Sequence, residues 1–423
     1  MSEKRLIFLS LNELNFDYLK KYLKFKDLKN FKILSDRIIN TTSEEEYKML
    51  EPWIQWPSIY TGKKANQHNI FRLGDIIKYK GKTLFNELED LCLSVGVISS
   101  MNLSNNLNKP KYFIPDPWTM TNPDSSFWSK LIHKTISKLV VKNSSLKFNI
   151  KELFSLSFIF IKFAKLKNYN TYLKFFITGF KYRWRKALFL DLLLSDIHLN
   201  YFYKNQPNFS NVFFNGMAHI QHHYFFNSKV MDKNKLKNPI WYLKKNKDPI
   251  EETLVLYDKI LGDYLNNKKF NLVIATGLTQ KPYDIIKFYY KIKNCKDFFL
   301  NLEIDFIKIQ ELMSRDFIIY FSDTKKAKIS EEILHKMKLK NKELFKIDNR
   351  GSNLFITFIY PDEILKNDYI DYNRIKIFDH VSFVAIKNGM HSEKGFYYDN
   401  FSDYKQREMN ITNIKDIILN FFK

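Results

Sequence analysis

Hydrophobic positions along the chain fall into two rhythms. Short, nearly unbroken apolar runs occur at "RLIFLSL" (5–11), "SVGVISSMN" (94–102), "SNVFFNG" (210–216), "FNLVIAT" (270–276) and "FVAIKNG" (383–389). Runs of this length and composition suit strands buried on both faces. Between them, "FDYLKKYLKFKDL" and "LFNELEDLCL" space their apolar residues as one face of a helix. Strands separated by helices predict an α/β fold, a mainly parallel sheet sandwiched by helices.

Two segments break the alternation. Residues 125–205 are helical, basic and aromatic throughout, as in "FAKLKNYNTYLKFFITGFKYRWRKALFLDLLLSD", and read as a helical insertion. Its cationic, amphipathic pieces suit either a cap over the active face or a peripheral membrane contact through 153–190. Residues 281–375 hold strand-like "DFIIYFSD" and "SNLFITFIYP" around a lysine-rich helix, and read as a small α+β cap. The α/β core is then 1–124, 206–280 and 376–423. The acidic run "SEEEY" (43–47) reads as a helix start with Ser43 as its N-cap.

Composition narrows the partners. The net charge is +23, from 68 Lys and Arg against 45 Asp and Glu; such a surface attracts nucleic acid, anionic lipid headgroups or an anionic small molecule or glycan, or is simply a solvated lysine-rich surface. No zinc finger, RNP aromatic pair or GXXG clamp is visible, so nucleic acid is not the expected ligand. Two cysteines, Cys92 and Cys295, exclude a disulfide scaffold and fit a reducing compartment. The first residues lack a secretory h-region, and the longest apolar run, "LFSLSFIFIKFA" (153–164), is too short to span a bilayer. The expected location is cytoplasmic, with membrane association left open; the sequence is silent on oligomeric state.

In parallel α/β sheets, chemistry collects at the carboxyl ends of the strands. Here those ends read "LNELN" (11–15), "MNLSNN" (101–106), "NGMAHIQHH" (215–223), "ATGLTQKP" (275–282) and "NGMHSEKG" (388–395). A helix opening near Met217 would put His219 and His222 three residues apart on one face, and His391 would arrive from another strand end. Three such imidazoles make a candidate site for one divalent metal, Zn or Mn; ordinary core histidines are the plain alternative. Glu13, close to His222 or His391, would form an acid/base pair, or else simply cap a helix. "EPWIQWPS" sets Glu51 and Gln55 among Trp53 and Trp56, the makeup of a sugar-binding wall or of a core under a loop. Asn12, Asn15, Arg72 and Lys394 are further candidates for holding substrate. No GxGxxG, Walker A or GxSxG motif occurs.

The order of these segments resembles the alkaline phosphatase superfamily, in particular its type I phosphodiesterase/nucleotide pyrophosphatase branch. "SIYTGKKANQHNIF" (58–71) is similar to that family's S-x-x-T-G-x-x-P-x-x-H stretch, "AHIQH" (218–222) to its Asp-His-x-x-His segment, and "NGMHSEKGFYY" to its Gly-x-His segment. The resemblance implies an alkaline-phosphatase-like sandwich with His222 and His391 at metal-ligand positions; the residue matched by His219 is not usually a ligand there. The departures are equally specific. Asn12 and Glu13 stand where the family has Asp-Gly, and Ala218 where it has a ligand aspartate. Thr276 and Gly277 replace a further Asp-His, and Pro52 or Gln55 falls at the nucleophile's place. A two-metal clamp needs several anionic ligands, so the usual two-zinc mechanism is not expected.

The sequence therefore points to a divergent enzyme of that superfamily. It would transfer or hydrolyse a phosphodiester, or a sulfate ester, on an anionic glycan or a nucleotide- or lipid-linked precursor in surface-polysaccharide assembly. Glu13, His222 and Gln55 are its candidate catalytic residues. The alternative is a non-catalytic glycan- or nucleotide-binding relative acting as a scaffold.

Overall fold

The structure, a computed structural model, describes residues 4–44, 46–142, 150–231, 236–312, 315–403 and 407–423. Position 45 of the acidic run and positions 143–149 of the insertion lie outside the described residues. The chain divides into two compact units: Met1–Lys235 with Pro239–Pro282 and Gly389–Lys423, and Leu236–Asn238 with Tyr283–Asn388.

The first unit is built on one eight-stranded sheet. Its strands are β1 (Leu6–Leu11), β2 (Ile39–Thr42), β3 (Val95–Ile98), β4 (Tyr112–Ile114), β5 (Phe209–Phe214), β6 (Asn271–Ala275), β7 (Lys394–Asp399) and β8 (Glu408–Asn410), in the spatial order β8-β2-β7-β6-β1-β5-β3-β4. β1 lies at the centre, parallel to β5 and β6, with Leu6 opposite both Phe209 and Asn271. Only β7 runs against its neighbours, β2 and β6. The mainly parallel α/β sandwich is thus present.

Alternate residues of β1 feed two cores, as the two-residue period of a strand requires. Ile7, Leu9 and Leu11 join one, with α1 (Phe16–Tyr22), α3 (Arg185–Asn205) and α5 (Pro249–Leu265). Leu6 and Phe8 join the other, with α2 (Pro52–Thr61) and the C-terminal helix Asn413–Phe422. Both faces are covered, which is why the strands read as continuous apolar runs.

The segment 125–205 is helical, with helices at Phe127–Lys142, Ile150–Phe163, Tyr169–Thr178 and α3. Leu188, Leu192 and Leu193 of α3 share the core of β1 and β5, so this segment forms part of the helical layer on one face of the sheet.

The second unit has its own core around Phe299, Phe317, Ile356 and Phe358. Its four-stranded antiparallel sheet runs Phe345–Asn349, Asn353–Phe358, Asp316–Tyr320, Lys308–Glu311, with the lysine-rich helix at Thr324–Lys336.

Two local expectations are corrected. "FVAIKNG" is a strand, but it belongs to Val381–Ser392, which pairs with Thr279–Ile292 and not with the main sheet. An apolar run marks a strand without naming its partner. No helix starts at Ser43, whose hydroxyl donates instead to Glu393 O over 2.9 Å. Among the described residues, no helix is long and apolar enough to cross a membrane.

Candidate metal centre

Glu13 follows the carboxyl end of the central strand with φ 61, a left-handed backbone that disfavours a side chain and favours glycine. Its N–H donates to Thr276 O and the preceding Asn12 N–H to Phe214 O, both over 3.0 Å. The turn is therefore tied to the ends of both neighbouring strands, β5 and β6. This chain thus places a carboxylate on a backbone of the kind that suits glycine.

Two imidazoles meet that carboxylate. His222 projects from α4 (Gly216–Tyr224), the helix after β5; His391 comes from the segment before β7. His222 Nε2 lies 3.3 Å from Glu13 Oε2, His391 Nε2 lies 3.4 Å from it, and the two Nε2 atoms are 3.3 Å apart. The three ligand atoms form a nearly equilateral triangle. Ligands held tetrahedrally around zinc at about 2.0–2.1 Å are separated by about 3.3 Å, so the triangle has the size of one face of that coordination sphere.

The surrounding contacts orient each member. His222 Nδ1 is 3.2 Å from Gly389 O, and His391 Nδ1 is 3.5 Å from a Glu51 carboxylate oxygen. This leaves Nε2 of each ring aimed at the shared point, the outer-contact pattern common to metal-binding histidines. Glu13 Oε1 accepts from Asn12 Nδ2 over 3.1 Å, and Oε2 accepts from Gln280 Nε2. Asn12 is itself held by Asn215 Oδ1 and by the Trp56 indole N–H, each at 2.8 Å. Gln221 Nε2 fixes the Glu13 carbonyl at 2.7 Å. A Cβ at Gly389 would stand 2.0 Å from Gln280 Oε1 and 2.9 Å from Gln221 O, so a side chain there would push the Gln280 amide off Glu13.

Burial by itself would raise the Glu13 carboxyl. The His391 and His222 imidazoles outweigh it, through their charge and hydrogen bonds, and hold the group far below the ordinary carboxylate range. The carboxylate is therefore ionised between the two rings.

The other candidates are dispersed. His219 lies outside the triangle, its ring against His223 with centroids 4.8 Å apart. Asn15 caps α1, accepting from Asp17 N, and ties it to Gln280 O over 2.8 Å. Gln55 is buried, with Nε2 on Met49 O at 2.7 Å. Trp56 offers no ring face to a sugar: it is fully buried among Phe8, Tyr60 and Phe213. Apolar packing on three sides explains this, and its contribution to the site is the N–H on Asn12. Trp53 is half-buried beside the same core. Arg72 is exposed, and Lys394 Nζ is engaged with Asp17 at 2.7 Å.

Ser58 Oγ lies 3.0 Å from His68 Nε2, both buried, and His68 Nδ1 accepts from Ile70 N at 2.9 Å. Burial, then the charge of Lys63, pushes His68 down to about 4, so its ring is neutral and can accept.

Gln280, Gln221 and Asn215 were missed by sequence reasoning. An isolated amide carries no motif, although all three fall within or beside the polar strand ends.

No family model and no curated protein matches the chain. Solved structures overlap with it along nearly its whole length. Murine ectonucleotide pyrophosphatase/phosphodiesterase 5 is 10% identical, with 99% of this chain and 95% of that one covered and a TM-score of 0.45. Phosphonoacetate hydrolase from Sinorhizobium meliloti 1021, in complex with phosphonoacetate, is 9% identical, with 100% and 96% covered and a TM-score of 0.44. Alkaline phosphatase from the Antarctic bacterium TAB5 is 11% identical, with 100% and 99% covered and a TM-score of 0.41. These belong to the superfamily whose segment order the chain resembles.

Proposed function

We propose that the first unit is a mononuclear metal-dependent enzyme acting on a phosphodiester, or a sulfate ester, of an anionic substrate. Glu13, His222 and His391 would hold one divalent ion, Zn or Mn. The observation that carries this reading is the triangle of ligand atoms with sides of 3.3, 3.3 and 3.4 Å. Two imidazoles and one carboxylate are a sufficient protein donor set for zinc, leaving a position for water or a substrate oxygen. When bound, such an ion polarises a phosphoryl oxygen and lowers the pKa of bound water.

The chain's own residues do the rest. Asn12, Gln280 and Gln221 hold Glu13 at its oxygens and backbone, and Gly389 O and Glu51 fix the two rings. A net charge of +23 attracts an anionic glycan or a nucleotide- or lipid-linked precursor. Whether the acceptor is water or a sugar hydroxyl decides hydrolysis against transfer, and surface-polysaccharide assembly would supply either substrate. Gln55 is no nucleophile, which suits direct attack by an activated oxygen better than a covalent intermediate.

Elemental analysis of untagged protein, with His222→Ala/His391→Ala beside it, tests the reading. About one Zn or Mn per chain, lost in the variant, supports it. A folded wild type that takes up neither ion from metal-supplemented buffer overturns it and leaves the non-catalytic binding role.

A further inference from the structure

We propose that helices Ile150–Phe163 and Tyr169–Thr178 dock the first unit onto an anionic lipid surface. Both helices are apolar on two faces. One face of each is buried: Ile159 and Phe163 of the first, and Tyr172 and Phe175 of the second, share the core with Leu188 and Leu192 of α3. The Phe160 ring joins the pair, 5.3 Å from Tyr169 and 5.0 Å from Tyr172.

The opposite face should be polar in a helix that meets only water. Instead, Ile150, Leu153, Phe154, Phe158 and Ile161 repeat at helical spacing and are exposed, Phe154 by 72% and Ile161 by 73%. Leu173, Phe176, Ile177 and Phe180 continue the pattern on and just after the second helix. Such a surface is on the order of several hundred Å² of large apolar side chains, the size at which an exposed patch often marks an interaction site.

Charge selects the occupant. Between positions 150 and 183 the chain carries seven Lys and Arg (151, 162, 165, 167, 174, 181 and 183) against one acid, Glu152, which is buried; of the seven, Lys165 and Lys167 pair with Asp263, and Lys174 with Glu252. Lys162, Lys181 and Arg183 are exposed beside the apolar stripes. A second copy docking through the same face would bring like charges together around a two-fold axis. An anionic bilayer takes the apolar side chains below its headgroups and the cations among them. With 14 and 10 residues, the helices are too short to span and would lie in the interface plane.

The test is co-sedimentation of the full chain with vesicles of phosphatidylcholine, alone or with roughly one-third phosphatidylglycerol. The expected result is binding to the anionic vesicles that is roughly tenfold or more weaker on the neutral ones and in high salt. The variant Phe154→Ser/Ile161→Ser/Phe176→Ser should lose binding roughly tenfold or more and keep its unfolding midpoint, because these side chains face solvent. Failure of the wild type to bind either vesicle, or equal binding by the triple variant, overturns the proposal. So does a wild-type dimer that the variant converts to monomer without any vesicle binding, which would make a second copy the occupant.

Discussion

The Trp56 indole N–H donates to Asn12 Oδ1 over 2.8 Å, in the core beneath the candidate metal centre. Through that bond a buried aromatic orients the amide whose Nδ2 holds both Glu13 Oε1 and Asn215 Oδ1. The geometry of the centre is thus set one layer below its ligands.

Trp56→Phe would keep most of the packing and remove the donor, leaving Asn12 Oδ1 without that partner. Loss of a buried hydrogen bond of this kind costs about 1–3 kcal/mol, readable in the denaturant midpoint. Metal affinity should fall about 10–100-fold, as when an outer-contact residue is lost. An unchanged affinity would show that Asn12 does not need the indole to hold Glu13.

Glu13→Gly gives the left-handed position at φ 61 the residue that suits it. Relief of backbone strain contributes about 1 kcal/mol, and a buried carboxylate is removed as well. In chelator, the variant should be less stable than the wild type by thermal unfolding, because Asn12 Nδ2 and Gln280 Nε2 lose a buried acceptor and the two imidazoles lose their counter-charge, and it should bind no metal. Unchanged stability would mean that the backbone relief offsets the lost contacts, and retained metal would show that Glu13 is not a ligand.

His198 probes the buried polar network away from the centre. Its ring lies between Tyr264 Oη at 3.0 Å and Ser210 Oγ at 2.8 Å, and burial, then the charge of Lys165, pushes it down to about 3. A histidine depressed in the folded state stays neutral there while the unfolded chain takes up a proton. Its contribution is therefore complete above about pH 6.5 and is lost as pH falls toward the folded value, at most about 1.4 kcal/mol per pH unit. Asp116 and Asp191, pushed up to about 6 by burial against their hydrogen bonds, act in the opposite sense over part of that window. The histidine is therefore read as a difference: His198→Gln should show a stability loss between pH 6.5 and 4 that is shallower than the wild type's. Parallel pH profiles would refute the assignment.

The sequence by itself determined the layered architecture, because strands buried on both faces must be apolar throughout while their flanking helices keep one apolar stripe. It also placed Glu13, His222 and His391 at strand ends and suggested Glu13 as their acidic partner, since residue type and chain position are local properties. What it could not decide was which neighbours meet. His219 has the same type and nearly the same place as His222, but its place on α4 puts its ring on His223. Trp53 and Trp56 look equivalent in the chain, yet only Trp56 is sealed in the core, where its N–H reaches Asn12. The amides of Gln280 and Gln221 became part of the site only when the ends of β1, β5 and β6 were drawn together by strand pairing. Ligand geometry is a property of distances between segments remote in the chain, and only the packed sheet and helices set those distances.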